Sequence, residues 1–392
     1  MPITFIHTAD WQIGKPFRGV EEATKQAQLS EARIHAIERI AALAEKVKAS
    51  FVVVAGDLWD SATPSKSVIS KALGAIGKVN VPVYIIPGNH DHGAFGGIWH
   101  NPYFIQEKNS LAPNLNILLE PKPVEIEEAI LLPCPLLRKH ENTDLSQWLR
   151  DANDVYDNLP ADKPRIVLAH GSITTFGSET FSDEEEDGSA GNIIDLTRLP
   201  LDQLDYIALG DWHGTKKINE KAWYSGTPEP DRFPKGEQHQ QGNSLVVEVQ
   251  RGRTPKVKIH STGAIIWQIV DYHFAGDDAL SSFQTKLDSV LGNRIGSDLL
   301  LLRLTGSLSL NEMNTLQSII ETYQARLIRV KLDNQVQLNP NQDELDSLIR
   351  SESNPLIARV AQRIVTDLNK DGKQSDLAQE ALKRLYFLTK GE

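Results

Sequence analysis

A chain of 392 residues exceeds one ordinary core, and its 40% hydrophobic and 24% charged content is that of a globular protein with two or three domains. The net charge of −11 excludes a bulk-basic nucleic-acid binder. Residues 252–392 hold 17 Lys/Arg against 17 Asp/Glu, so the whole excess lies in residues 1–251. Local contacts to phosphate stay open, because bound cations offset carboxylates within a site. The single Cys134 excludes an internal disulfide. No apolar run is long enough to cross a membrane, and the first residues lack the basic and apolar segments of an export signal, which predicts a cytoplasmic protein.

In chain order, residues 3–8 read as a short buried strand ending at Ala9-Asp10-Trp11-Gln12-Ile13-Gly14. A helical pattern over about 22–49 follows, with Ile34, Ile37, Ile40, Ala41 and Ala44 on one face. Phe51 to Ala55 is a fully apolar strand running into Gly56-Asp57-Leu58-Trp59-Asp60. A helix over Ser65–Val79 leads to the strand 83–86, which enters the turn Gly88-Asn89-His90-Asp91. Three strands alternating with helices, each ending in a polar cluster, predict a βαβ sheet covered on both faces.

Weaker strands fall near 115–119 and 129–132. The strand 165–169 ends at His170-Gly171, and the strand 206–209 ends at Gly210-Asp211-Trp212-His213-Gly214. Between them the acidic run 182–189 reads as a solvated loop, or as a rim that orients anionic substrate. Strands over 245–249 and 256–259 close this part. Residues 265–275 read as a bridge to an αβαβ unit: helix 277–291, strand 299–304, helix 309–324 and strand 326–331. A polar helical tail follows, with Leu356, Ile357, Val360, Ile364 and Leu368 at helical spacing. That spacing suits either a partner's groove or a fold-back onto the protein itself.

Five strand ends, expected at the same edge of one sheet, thus present Asp10, Asp57, Asn89 with His90, His170, and Asp211 with His213. Asp, Asn and His are ligands for hard or borderline divalent metals. Two ions about 3.5–4 Å apart can share a carboxylate and clamp the attacking and leaving oxygens of a phosphoester. The chain has no phosphate-cradling Walker loop and no Cys pair for zinc.

The set Asp10-x-Gln12, Gly56-Asp57-x-x-Asp60, Gly88-Asn89-His90-Asp91, His170-Gly171 and Gly210-Asp211-x-His213 resembles the calcineurin-like metallophosphoesterase superfamily. The start His7-Thr8-Ala9-Asp10, the Gly226-Thr227-Pro228-Glu229 loop and the small αβαβ unit resemble the SbcD-type DNA repair exonucleases within it. The resemblance implies an α/β fold: a metallophosphoesterase β-sandwich flanked by helices over 1–265, a capping domain over 266–338 and a helical tail over 339–392. It implies a two-metal DNA phosphodiesterase, with manganese preferred and magnesium second.

By that resemblance, Asp10 and His213 hold the first metal, Asp57 bridges both, and Asn89 and His170 hold the second. His90 faces the scissile phosphate. Asp91 either orients His90 or serves the turn. Two positions depart from the family, with Gln12 and Asp211 each standing where a histidine is usual; both retain oxygen donors. The implied partners are DNA, an SMC-like coiled-coil ATPase of the SbcC type and a second copy of the chain, with no membrane. Hydrolysis of small phosphoesters and a non-catalytic, DNA-end-sensing role are the alternatives.

Overall fold

A computed structural model describes residues 1–140, 143–150, 156–173, 192–236, 239–276, 278–292, 294, 296–350, 355–368 and 373–390. The acidic run 182–189 lies outside them. The chain divides into two units, Met1–Ile266 and Trp267–Glu392.

Two six-stranded sheets make the first unit. In one, Ile3–Thr8, Val52–Val54, Val83–Ile85 and Leu115–Ile117 run parallel in that order. Asn243–Val249 and Lys256–Ser261 extend it antiparallel beyond Ile3–Thr8. In the other, Ala222–Tyr224, Tyr206–Gly210, Arg165–His170 and Ile130–Cys134 run parallel, with a short antiparallel strand at each edge.

Strand alternation explains how the sheets pack. Successive side chains point to opposite faces. Phe5 and Val53 of the first sheet meet Ile166, Leu168 and Tyr206 of the second in an inter-sheet core. Ile6, Val52 and Val54 face the other way, onto Ile37 and Ile40 of the helix Ala23–Val47 and Ile69 and Leu73 of the helix Lys66–Ile76. Parallel strands buried on both faces are nearly all apolar, as these are. The architecture is therefore the helix-flanked α/β sandwich that the family resemblance implies, with the second sheet covering one face of the first.

His7 is the polar exception in the inter-sheet core. Its ring is fully buried, with Nε2 3.2 Å from the Leu209 carbonyl and Nδ1 2.9 Å from the Tyr206 hydroxyl. A carbonyl only accepts, so Nε2–H donates to Leu209 and Nδ1 accepts from Tyr206. The imidazole is neutral, and burial lowers its pKa to about 3, opposed by the Leu209 bond.

In the second unit the expected bridge is a strand. Ile266–Phe274 is β-branched and aromatic along its length, and it forms one edge of a sheet with Asp298–Leu308 and Arg329–Asn334. The unit thus begins with a strand and not a helix. Helices Ala279–Leu291 and Leu310–Arg326 cover it through Phe283, Leu287, Leu316 and Ile320. The tail helices Gln342–Ile349, Pro355–Leu368 and Lys373–Lys390 pack together through Leu348, Ala361, Leu382 and Tyr386, against Leu310. Leu356, Val360 and Leu377 remain exposed.

Candidate metal centre

The site-bearing strand ends come from both sheets and not from one: Ile3–Thr8, Val52–Val54 and Val83–Ile85 belong to the first, Arg165–His170 and Tyr206–Gly210 to the second, and their loops meet at the carboxyl ends of the strands, where ligands bind in α/β folds. Their loops are tied to one another. Asp10 N donates to the Gly56 carbonyl at 3.1 Å, Gln12 N to the Asp57 carbonyl at 2.9 Å and Gly171 N to the Gly210 carbonyl at 3.2 Å. Asp10, Gln12, Asp57 and Asp211 all have positive φ, at 54°, 41°, 54° and 99°. Non-glycine residues adopt that conformation at a cost and cluster at functional sites. Two glycines let the loops close. A Cβ on Gly56 would stand 2.2 Å from His170 Nδ1, and one on Gly88 would stand 2.0 Å from Asp57 Oδ1.

Asp10, Asp57 and His170 are buried, with one ligand atom from each within 4.8 Å of the others. His170 Nδ1–H donates to the Ala55 carbonyl at 2.8 Å, which turns Nε2 into the cluster. Around Nε2 stand Asn89 Oδ1 at 3.1 Å, Asp57 Oδ1 at 3.6 Å and Asp211 Oδ1 at 3.7 Å. Burial opposes charge on this ring, but Asp57, Asp10, Asp211 and the Ala55 bond outweigh it and raise the pKa to about 9. Asp10 Oδ1 accepts from Asp211 N at 3.0 Å, whereas Oδ2 is buried with no hydrogen-bond partner among the described residues. Burial pushes the Asp10 carboxyl up to about 6; His213 and His170 oppose the rise, and Asp57 and Asp211 add to it.

Gln12 and His213 form an adjoining pair. His213 Nδ1–H donates to Asp231 Oδ2 at 2.9 Å, leaving Nε2 as the lone-pair nitrogen, 3.2 Å from the Gln12 amide nitrogen. Lys15 Nζ, 3.2 Å from Gln12 Oε1, draws the amide oxygen to the other side. Gln12 therefore faces His213 with its nitrogen.

His90 sits beside Asp57. Its backbone N donates to Asp57 Oδ1 at 3.0 Å, and its ring Nδ1–H donates to the Asp60 carbonyl at 2.9 Å. Nε2 is left 4.0 Å from Asp57 Oδ2 on a ring that is only partly buried. Burial lowers the ring's pKa, but Asp57 and Asp60 more than offset it, so the net shift is upward. Asp91 does not supply the ring's bond. Its Oδ1 accepts from Gly88 N at 2.7 Å and its Oδ2 from Trp59 N at 3.1 Å. Of the two roles open to it, those bonds serve the turn.

Several contributors escape the sequence reading. Arg33 is fully buried in the helix Ala23–Val47 and donates to the carbonyls of Trp11 at 2.7 Å, Asp10 at 3.1 Å and Glu229 at 3.1 Å, and to Thr227 Oγ1 at 3.0 Å. A signal exists for it: Arg33 lies one turn from both Leu29 and Ile37, on the apolar stripe. Asp231 and Lys15 carry no comparable mark, since nothing local shows that they meet His213 and Gln12.

The donor set fits divalent cations. Three carboxylates, one amide oxygen and one imidazole nitrogen converge, and the uncommitted Asp10 Oδ2 lacks only a positive partner. The family model described as calcineurin-like phosphoesterase matches residues 3–215.

The chain belongs to the calcineurin-like phosphoesterase family.

It is a hydrolase acting on phosphoester bonds. The match ends just beyond Asp211 and His213, so it takes in each of the strand ends described above. Two solved structures resemble this calcineurin-like phosphoesterase at low identity. TT1561 of Thermus thermophilus is 12% identical, with 67% of this chain and all of that one covered and a TM-score of 0.40. The other is 13% identical, with the same coverage and a TM-score of 0.39. Likenesses this slight say nothing of its substrate.

Proposed function

We propose that this protein is a metal-dependent phosphodiesterase acting on DNA, the nuclease subunit of a complex with an SMC-like coiled-coil ATPase in repair or defence. The observation that carries the phosphodiesterase reading is the gathering of Asn89, Asp57 and Asp211 oxygens around His170 Nε2, with His90 alongside. The DNA substrate is supported by the SbcD-like start His7–Asp10 and the loop Gly226–Glu229. Both are built into the site's frame, for Thr227 Oγ1 accepts from Arg33 and lies 2.9 Å from the Asp10 carbonyl.

In this reading Asp57, Asn89, His170 and Asp211 hold one cation, and Asp10 and His213 hold the other with Asp57 shared, while Gln12 joins the second only if its amide turns its oxygen from Lys15 toward His213. Bound divalent cations supply Lewis acidity and a water-derived nucleophile at neutral pH. The oxygen-rich set favours manganese or magnesium over zinc. The remaining work falls to the side chains. Asp60, through its carbonyl, fixes the His90 ring with Nε2 directed past Asp57. From there His90 protonates the leaving oxygen or steadies its charge. Asp231 fixes the His213 tautomer, and Arg33 holds the Asp10 loop.

Assays with manganese on plasmid and duplex oligonucleotides, beside a chromogenic small phosphodiester, test the reading. Cleavage of DNA is expected. Turnover of the small diester alone would transfer the activity to small phosphoesters. The Gln12 amide nitrogen facing His213 favours a second reading, a DNA-end sensor without catalysis, and inactivity on every substrate would support it.

For the ATPase, the exposed Leu356, Val360 and Leu377 support a docking surface on the tail. The double variant Leu356→Glu, Val360→Glu should lose co-purification with the coiled-coil ATPase and keep nuclease activity. Retained co-purification would count against this surface.

A further inference from the structure

The loop that follows the centre is pinned at several points. The Trp99 indole N–H donates to the Asp91 carbonyl, Gly93 N donates to the Leu136 carbonyl at 2.7 Å, and Gly97 N donates to the Ala94 carbonyl at 3.0 Å. Ile98 and Trp99 are buried. Phe95, in the same loop, is 97% exposed. Its ring lies 5.6 Å from the His100 ring at an interplanar angle of 49°. An anchored loop that buries two large apolar side chains and projects a third into solvent holds an aromatic face open. Phe95 is five steps along the chain from His90, so their Cα atoms are at most about 18 Å apart.

We propose that Phe95, with His100 beside it, is a platform on which an unpaired base stacks when the strand's phosphodiester lies at His90; this rests on the DNA reading above. A nucleobase is the flat aromatic group carried next to a phosphodiester, and every base offers a π face to such a ring. The charge balance points the same way. Residues 1–251 carry the whole net charge of −11, so phosphate contacts there are local ones at bound cations, and long-range attraction to the rest of a strand is weak. Stacking is uncharged and needs no basic surface.

Steady-state hydrolysis in manganese tests the platform with the full chain, on a single-stranded oligonucleotide and on a small phosphodiester without bases. Phe95→Ala should raise KM for the oligonucleotide about five- to hundredfold with little change in kcat. The small diester should be turned over as in wild type, and Phe95→Trp should restore the oligonucleotide KM. Equal effects on both substrates, or none on the oligonucleotide, would overturn the platform. So would a Phe95→Ala protein whose oligomeric state has changed, since Phe95 would then cover a second copy. Wild type that hydrolyses only the small diester overturns the DNA reading and the platform with it, and shows this before any variant is made.

Discussion

Asp231 Oδ2 accepts the Nδ1–H of His213 at 2.9 Å, with both residues buried. The bond favours the tautomer with its lone pair on Nε2, which the Gln12 amide nitrogen faces at 3.2 Å, while Arg232 Nη2 stands 3.2 Å from Nδ1 on the same side as Asp231. Burial alone would raise the Asp231 pKa, but Arg232, His213 and Lys15 hold it well below the usual range, so it is a carboxylate throughout the working pH. Such a partner increases the basicity of a ligating histidine and typically contributes about 10–100-fold in metal affinity. Asp231→Asn keeps the shape and removes the charge. Manganese titration should show about 10–100-fold weaker binding at one of the two ions, with the fold retained by circular dichroism. Unchanged affinity would mean that His213 is not a ligand.

His90 makes its contact to Asp57 through its backbone N, which a substitution preserves. His90→Ala should therefore keep the metal and lose activity by about 10²–10⁴-fold, the usual contribution of a general acid. Elemental analysis beside kcat decides the matter. Loss of metal in the variant would make His90 a ligand.

Much of the placement of these residues is legible in the sequence because each turn that carries a proposed ligand follows an apolar strand at once. Val52–Val54 into Asp57 and Val83–Ile85 into Asn89 need only local rules. The order of strands is not legible, since it depends on pairings such as Ile3 with Val249. The supporting bonds are equally non-local: His7 meets Tyr206 199 residues away, and Arg33 meets Glu229 196 residues away. Ile266–Phe274 reads as a connector because its alternation is imperfect, with Trp267, Gln268 and Ile269 all partly buried. Its place as an edge strand comes from pairing with Asp298–Leu308.

Arg33 ties the strained Asp10 loop to the Thr227–Glu229 loop through bonds to three backbone carbonyls. Arg33→Met fills the volume and leaves those acceptors unsatisfied, at a cost of about 3 kcal/mol. Thermal unfolding should fall by about 6–12 °C. Arg33→Lys should not restore it, because one ammonium cannot span the planar fork's partners. A variant as stable as wild type would show that the loops hold without the guanidinium.

His7 supplies a pH dependence. Its folded pKa of about 3 lies below the free value of 6.5, so the unfolded chain takes up a proton that the native ring refuses. The sign follows: stability falls as pH drops from about 6.5 toward 3, by at most about 1.4 kcal/mol per pH unit, and His7 has no effect above that window. His7→Gln can donate to Leu209 and accept from Tyr206 without titrating. Urea midpoints at pH 7, 6, 5 and 4 should show a shallower acid decline in the variant than in wild type. Parallel declines would place the acid sensitivity elsewhere.

Asp57 carries the central claim, because its carboxylate is the one shared by both proposed ions. Its Oδ1 lies 3.6 Å from His170 Nε2, and its Oδ2 lies 4.0 Å from His90 Nε2. Replacing it by an isosteric amide keeps the shape and removes the one negative charge that faces both ions and the His170 and His90 rings. Equilibrium dialysis against manganese, followed by elemental analysis, measures the outcome directly. Wild type should bind two ions per chain, and Asp57→Asn should have reduced occupancy of both at the same free concentration. Two ions retained by Asp57→Asn, or none bound by wild type at millimolar manganese, would contradict the two-metal centre.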